Sequence, residues 1–376
     1  MRLGVLDVGS NTVHLLVVDA RRGGHPTPMS STKASLRLAE AIDDSGKLTR
    51  RGADALVGTL DEFARIATSS GCAELMAFAT SAVRDARNSE DVLARVKSET
   101  GVELKVLSGV DESRLTFLAV RRWYGWSAGR IINIDIGGGS LELSSGVDEE
   151  PDVALSLPLG AGRMTREWLP DDPPGRRRVA MLRDWLANEM GDAAAAITEA
   201  GSPDLAVATS KTFRSLARLT GAAPSGAGPR VKRTLTATGL RQLINFISRM
   251  TAADRAELEG VSVDRAPQIV AGALVAEASM KALGIESVDI CPWALREGLI
   301  LRKLDSEADG SAFVGGADNT AGVGGADNPA KVGGADNPAK VGGSGKSGKV
   351  SGADKSAKGG AGDSASRLMS VRNAGR

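Results

Sequence analysis

The sequence predicts an α/β protein built of two related domains that face each other across a central cleft. Three observations lead there. Short apolar runs alternate with helical periodicities along residues 1–304, which is the pattern of mixed sheets covered by helices. An apolar run that ends in an acid and is followed by a glycine turn occurs twice, at residues 3–7 before Gly9-Ser10-Asn11 and at residues 131–135 before Gly137-Gly138-Gly139-Ser140. The length of 376 residues exceeds one ordinary core and suits two domains with an appendage.

The first apolar run and a second at residues 13–18 flank Gly9-Ser10-Asn11 and read as strand, tight turn, strand. Residues 51–69 place Ala55, Leu56, Leu60, Phe63, Ala64 and Ala67 at helical spacing. A short strand is expected at 75–79 and a helix at 89–100, stopped by Gly101 before a strand at 103–107. At residue 131 the opening pattern restarts, with a second strand at 141–143. A lone Asp-x-Gly is common, but its recurrence within the same strand-turn-strand context points to two related halves, each contributing one phosphate loop. Further helices are expected around 178–200, 239–250 and 266–283, a strand at 205–208 and a closing helix at 293–304. The expected division is a first domain over 1–124, a second over 125–305 and a tail over 306–376.

Composition narrows the class. The apolar fraction of 42% and charged fraction of 25% are those of a globular protein, with a core resting on Leu, Val, Ile and Ala. No stretch approaches the roughly 18 apolar residues of a membrane span, and Asp7 and Asn11 interrupt the N-terminal apolar stretch where a signal peptide would be apolar. A cytoplasmic protein without a membrane partner is expected. Cys72 and Cys291 have no metal-ligand or disulfide spacing and read as buried, inert thiols. The formal net charge of +1 gives no global field for a polyanion, so no nucleic-acid partner is expected and any phosphate specificity must come from local groups. Arg121-Arg122, Arg176-Arg177-Arg178 and Arg230 with Lys232-Arg233 are candidate walls of a phosphate track, although solvated faces account for most such runs. From residue 306 the chain turns to Gly, Ala, Asp, Lys and Ser, with the nonapeptide VGGADNPAK recurring between Val323 and Lys340. Such a composition cannot bury enough apolar surface to offset ordering entropy, so disorder is expected there.

A glycine turn between strands lets consecutive backbone N–H groups approach a phosphate because no side chain blocks the way. Neither turn is a Walker loop or a dinucleotide fingerprint. The acid before each turn, Asp7 or Asp135, would repel a bound phosphate unless a cation intervened, and Mg²⁺ resolves that conflict. Glu142, three residues past Gly139, is placed to share the ion or the attacking water. Two polar stretches follow strands, at 79–88 and 108–114, where open α/β sheets usually bind ligands. Arg84 in the first can make a forked contact with phosphate, and Glu112 in the second can take a proton from water. The plainer alternatives are a surface ion pair for Arg84 and a helix N-terminal acid for Asp111 or Glu112. His14 reads as a packed core residue rather than a base, since no Ser or Cys nucleophile partner is apparent.

The segments LDVGSNTVHLLV, ATSAVRDARN, VLSGVDESRLTFLAV, INIDIGGGSLEL and WALREGLI, in that order, resemble the signature segments of the Ppx/GppA phosphatase family over about residues 1–304. The resemblance implies a duplicated actin-like fold, related to sugar kinases, heat-shock ATPases and ribonuclease H, and a glutamate that activates water against a terminal phosphoanhydride. Carried over by position, that glutamate is Glu112. Asp135 and Glu142 match acids that hold metal and orient water, Asp7, Gly9, Ser10 and Asn11 match the first phosphate loop, and Arg84 matches a phosphate-binding arginine. Gly137, Gly138, Gly139 and Ser140 form the second loop.

Three departures from the family pattern are visible. The usual double glutamate reads Asp111-Glu112, the usual small-residue segment reads Thr209-Ser210-Lys211-Thr212, and the approach to LREG reads Cys291-Pro292-Trp293. The second introduces a lysine near a phosphate subsite. The leading expectation is an Mg²⁺-dependent exopolyphosphatase, with K⁺ as a further candidate ion, acting on short polyphosphate because the extra C-terminal helical domain of longer members is lacking. The alternatives are a phosphohydrolase of guanosine pentaphosphate (pppGpp), a binding protein that senses either polyanion with little turnover, and an actin-fold kinase, for which no nucleotide pocket is recognisable. A homodimer is expected.

Overall fold

The structure, a computed structural model, describes residues 1–309, and the expected low-complexity tail lies outside the described residues apart from its first few positions. The first half opens with an antiparallel meander of Arg2–Val8 (β1), Thr12–Asp19 (β2) and Thr27–Ser35 (β3). The helix Arg50–Ser69 (α1) leads to Glu74–Ala79 (β4), and Ser81–Arg84 (α2) with Ser89–Thr100 (α3) leads to Leu104–Val106 (β5). The sheet order is β3-β2-β1-β4-β5, with β1, β4 and β5 parallel. The helix Gly109–Tyr124 (α4) then crosses to the second half.

That half begins with another meander, Ile131–Ile136 (β6), Leu141–Gly146 (β7) and Val153–Leu157 (β8). Ala161–Trp168 (α5), Arg176–Glu189 (α6) and Gly191–Glu199 (α7) precede Leu205–Ala208 (β9). Ser210–Leu219 (α8), Thr234–Thr236 (β10), Ala237–Ile247 (α9), Ala252–Ala256 (α10) and Ile269–Ala282 (α11) lead to Ser287–Ile290 (β11) and the last helix, Leu295–Asp309 (α12). The order β8-β7-β6-β9-β11 repeats that of the first sheet, with the same antiparallel and parallel pairings and with β10 added at the edge. The duplicated α/β architecture is therefore written in the topology.

Each central strand is buried on both faces, which explains its unbroken apolar run. Leu6 and Val8 of β1 pack with Leu56, Leu60 and Phe63 of α1, whereas Leu3 and Val5 pack with Leu115 of α4 and Leu299 and Ile300 of α12. Alternation along the strand gives Asp7 the parity of Leu3 and Val5. The acid thus leaves the sheet on the side of α4 and α12. The second sheet buries Ile132, Ile134 and Ile136 under α5 to α11 and turns Ile131 toward Phe117 and Val120 of α4. An α11 that is apolar nearly all round is a fully buried helix.

Helix α4 is the wedge between the sheets. Its Ser113 hydroxyl donates to Leu143 O of β7 at 3.0 Å. A methyl at Gly109 would clash with the Ser156 side chain of β8, and one at Gly298 of α12 would clash with the Leu115 carbonyl. These contacts bring α4 against both halves, while the closing helix α12 packs on the first sheet although it follows the second in sequence.

Three sequence expectations change. The strands β3 and β8 went unread because neither alternates clearly: β3 is an exposed edge with the sequence TPMSSTKAS. Cys72 is only partly buried, unlike Cys291, although burial raises both thiols above their usual range. The arginine runs are largely committed to the fold. Arg121 is fully buried and donates to the carbonyls of Gly125, Gly129 and Gly146, Arg122 pairs with Glu149 and Asp305, and Arg233 donates to the carbonyls of Ala223, Pro224 and Gly228.

Candidate active site

The two predicted turns close in the same way. Gly9 N donates to Thr12 O at 3.0 Å and Gly137 N to Ser140 O at 2.9 Å. The next carbonyls are held by neighbouring amides: Ser10 O by Ala39, Asn11 O by Leu36 and Arg37, Gly137 O by Ala161 and Gly138 O by Arg163. The amides of Ser10, Asn11, Gly138, Gly139 and Ser140 donate to no protein acceptor among the described residues. Two short rows of unspent N–H groups therefore remain, which is the requirement for binding phosphate oxygens.

None of these glycines adopts a left-handed φ. Their identity follows from close approach. A Cβ at Gly138 would lie 2.9 Å from Ser10 Cβ, and one at Gly139 would lie 2.5 Å from Ser81 Oγ. The second turn nests in the first. Ser10 and Ser81 share a buried hydrogen bond at 2.8 Å, and Asn11 Nδ2 reaches Gln268 Oε1 across the halves at 3.2 Å.

Between the turns lies a cavity of about 160 Å³. Of the predicted residues, Asp7, Gly9, Ser10, Asn11, Glu112, Asp135, Gly137, Gly138 and Ser140 line it. Gly139, Arg84 and Glu142 do not: Gly139 packs against Ser81 with its amide free, and the Arg84 and Glu142 side chains are hydrogen-bonded behind the wall. The Arg84 guanidinium donates to Glu112 Oε2 at 3.3 Å, to Leu107 O at 3.2 Å and to Asp85 at 3.3 Å, so it braces the glutamate. The buried Glu142 accepts from Ser156 Oγ at 3.0 Å.

The neighbouring acids of α4 separate by role. Ser108 caps the helix by accepting from Asp111 N at 3.0 Å while donating to the Asp111 carboxylate at 2.6 Å, so Asp111 is the helix-start acid. Glu112 turns into the cavity. Burial drives its pKa up to about 8, against the opposing pull of Arg84 and with further upward push from Asp135 and Asp7. Glu142 is also raised, chiefly by burial and then by Glu112 and Asp135. Burial likewise raises Asp7, opposed by Arg296 and Lys211, and Asp135, opposed by a 2.5 Å hydrogen bond from Thr209 Oγ1 and by Arg214.

The donor set fits Mg²⁺. It offers hard carboxylate oxygens whose ionised forms repel one another and would be relieved by a cation. No three His, Cys, Asp or Glu groups are placed to hold an ion among the described residues. Mg²⁺ is commonly held through one or two carboxylates, waters and substrate phosphates, and Asp7 and Asp135 are the carboxylates that line the wall beside the two turns.

Several contributors had weaker signals. Arg296 belongs to the WALREGLI segment, lines the cavity and approaches His14 Nε2 at 3.2 Å. His14 is buried, with Ser31 Oγ 2.6 Å away, and also faces the cavity. Lys211 is the visible departure at 209–212, whereas Arg265 sits in a stretch without any motif.

Comparison with known proteins gives this geometry a lineage. The sequence pattern of the Ppx/GppA phosphatase family matches residues 17–307. The chain belongs to the Ppx/GppA phosphatase family. A Mycobacterium tuberculosis protein named Exopolyphosphatase 1 is 84% identical over 314 residues, covering 84% of this chain and 91% of its own length. Its Mycobacterium leprae namesake is 83% identical over 314 residues, covering 84% of this chain and 93% of its own length. Among solved structures, an exopolyphosphatase from Cytophaga hutchinsonii superposes with a TM-score of 0.74 at 24% identity, covering 84% of this chain and 100% of that one. The Aquifex aeolicus Ppx/GppA family member gives 0.69 at 23% identity, covering 82% and 98%. At such identities the likeness establishes the fold, which is the duplicated actin-like fold of the family. Among the described residues no helix is long and apolar enough to cross a membrane.

Proposed function

We propose that the protein is an exopolyphosphatase that releases the terminal phosphate of inorganic polyphosphate, with Glu112 as the general base. The observation that carries this reading is the placement of the Glu112 carboxyl, braced by Arg84, on the wall of a cavity that also holds two rows of unspent amides. The terminal phosphoryl group fits between the Ser10-Asn11 and Gly138-Gly139-Ser140 amides, whose dipoles neutralise its equatorial oxygens without reorganising. Glu112 accepts a proton from water as the water oxygen forms its bond to phosphorus. The anhydride P–O bond breaks, and the shortened chain leaves with the bridging oxygen and its electron pair. Arg84 orients Glu112 and opposes the rise of its pKa, and a bound cation would draw it further toward the ionised form that accepts the proton. Mg²⁺ held by Asp7 and Asp135 would supply charge neutralisation at the phosphate oxygens. Glu142, buried behind the wall, would act on the water through Glu112, whose ionisation it opposes.

The names of the close mycobacterial relatives support polyphosphate as the substrate. Phosphate release should be measured on tripolyphosphate, long polyphosphate and guanosine pentaphosphate, each with Mg²⁺ and with chelator. Release from polyphosphate that chelator abolishes is expected, with faster turnover of short chains. Release from guanosine pentaphosphate alone would overturn the substrate, and binding without release would overturn the enzyme.

A further inference from the structure

The two halves repeat each other's topology, yet the strand beside each turn acid carries different chemistry. In the first sheet the parallel register of β1 and β4 sets Phe78 against Asp7, and Phe78 is buried in the apolar cluster with Leu3, Val5 and Leu299. In the second sheet the parallel register of β6 and β9 pairs Ile134 with Ala208, so the next two residues, Asp135 and Thr209, lie side by side. A hydroxyl therefore stands where the related half has a ring. Thr209 is fully buried, and its Oγ1 donates to Asp135 Oδ2 at 2.5 Å. The other acceptor within reach, Asn133 Oδ1, is 3.4 Å away. A hydroxyl has a single proton to give, and the shorter contact to a charged acceptor takes it.

The mount of Thr209 is rigid. Its amide donates to Ile134 O of β6 at 3.0 Å, and the preceding carbonyl, Ala208 O, accepts from Cys291 N just past β11 at 3.0 Å, so the end of β9 is clamped from both sides. The next residue, Ser210, takes a left-handed φ of 73° and turns the chain at once into α8, a conformation that non-glycine residues seldom adopt. A β-branched side chain on such a mount has little χ1 freedom. With Oδ2 taken by Thr209, Asp135 Oδ1 accepts no hydrogen bond among the described residues. Asp7 accepts none at either oxygen among the same residues. One of the two cavity-wall acids is thus fixed with a spare oxygen, and the other is held only by its strand.

We propose that Thr209 is a positioning residue for the cation: by holding Asp135 Oδ2 it fixes the carboxylate and leaves Oδ1 for Mg²⁺, so that the ion is seated between a rigid Asp135 and an adaptable Asp7. The proposal rests on the reading above, in which Asp7 and Asp135 hold the ion, and adds the residue that orients one of them. Groups that hydrogen-bond a ligating carboxylate set its direction, and their loss commonly weakens metal binding by about 10–100-fold.

The test uses full-length Glu112→Gln protein with tripolyphosphate, in which the Mg²⁺ midpoint of the thermal shift is read without turnover. Adding Thr209→Val keeps the shape but removes the hydroxyl, and should move that midpoint about 10–100-fold higher. Thr209→Ser keeps the hydroxyl and should stay close to the parent. Should the valine variant not fold, Thr209→Ala carries the same expectation as Thr209→Val. In protein that retains Glu112, Thr209→Val should lose rate at low Mg²⁺ and recover most of it at saturating Mg²⁺. On an Asp135→Asn background, Thr209→Val should add little further shift, because the two residues act as one unit. An unmoved midpoint in Thr209→Val or Thr209→Ala, or an equal shift in Thr209→Ser, would overturn the positioning role. A Glu112→Gln parent whose thermal shift is indifferent to Mg²⁺ would instead overturn the Mg²⁺ reading, and the positioning role with it.

Discussion

Asp111 and Glu112 are consecutive acids in the first turn of one helix, yet Asp111 is tied to the Ser108 cap while Glu112 faces Arg84 and the cavity. Replacing Glu112 by Gln keeps its size but removes the proton acceptor, so kcat should fall by about 10²–10⁴-fold with substrate binding retained. Asp111→Asn should leave kcat near wild type and lose at most about 0.5–2 kcal/mol of stability through the cap. Equal kinetic losses in both variants would remove the distinction. A pH prediction follows from the same residue. Burial raises the Glu112 carboxyl to about 8 in the folded state from the ordinary 4.5, so between these the folded state holds more protons than the unfolded one. Stability of the metal-free protein should therefore decline as pH rises from about 4.5 to about 8, most steeply midway between them, and level off above. Glu112→Gln should flatten that decline in urea melts, and parallel curves would contradict the burial argument. Glu112, the proposed general base, was legible as a residue of the cavity wall from its segment and its position after a strand. Arg84 was legible as a site residue, but its bracing contact with Glu112 depends on α2 and α4 lying side by side.

At the scale of elements, the strand-turn-strand units could be read because apolar runs, a terminal acid and a glycine turn are all local signals. The need for glycine at Gly138 and Gly139 could not be read correctly, since it arises from serines of the opposite half. The same holds for Gly298, which lets α12 approach the Leu115 carbonyl of α4. Gly298→Ala should force these helices apart and destabilise the protein by about 1–3 kcal/mol, as overpacking does. Because α4 carries Glu112, activity should fall below the melting transition as well. A thermal melt with an activity assay at low temperature checks both, and an unchanged melting temperature would show that the helices can separate without cost.

For the whole molecule, the site exists only where two sheets meet, and beside the apolar packing of α4 and α12 a set of polar pairs joins the halves at the turns. Asn11 with Gln268 is one, and Arg37 with Asp264 at 2.9 Å is another. The second pair is well exposed and is worth only about 0–1 kcal/mol. A ligand that touches both turns should therefore stabilise the assembly by mass action, about 2.7 kcal/mol at a hundredfold excess over Kd. In Glu112→Gln, which binds without turnover, tripolyphosphate with Mg²⁺ should raise Tm. Adding Asp135→Asn should shift the Mg²⁺ midpoint of that rise to higher concentration, and an unmoved midpoint would exclude Asp135 as a ligand.

The sequence by itself determined the duplicated α/β class, the two turns, and the acids Asp7, Glu112 and Asp135 that meet in the cavity, because strand periodicity and turn chemistry are properties of neighbouring residues. Tertiary structure alone decided that Arg84 and Glu142 stand behind the cavity wall, that Arg121 and Arg233 serve the fold, and that Lys33, Lys211, Arg214 and Arg265 gather beside the site. Lys33 lies on an exposed edge strand, and Lys211 and Arg214 lie about 180 residues later on α8. Charge density at a point depends on distance in space, and only the tertiary fold brings these cations to the lining of one pocket.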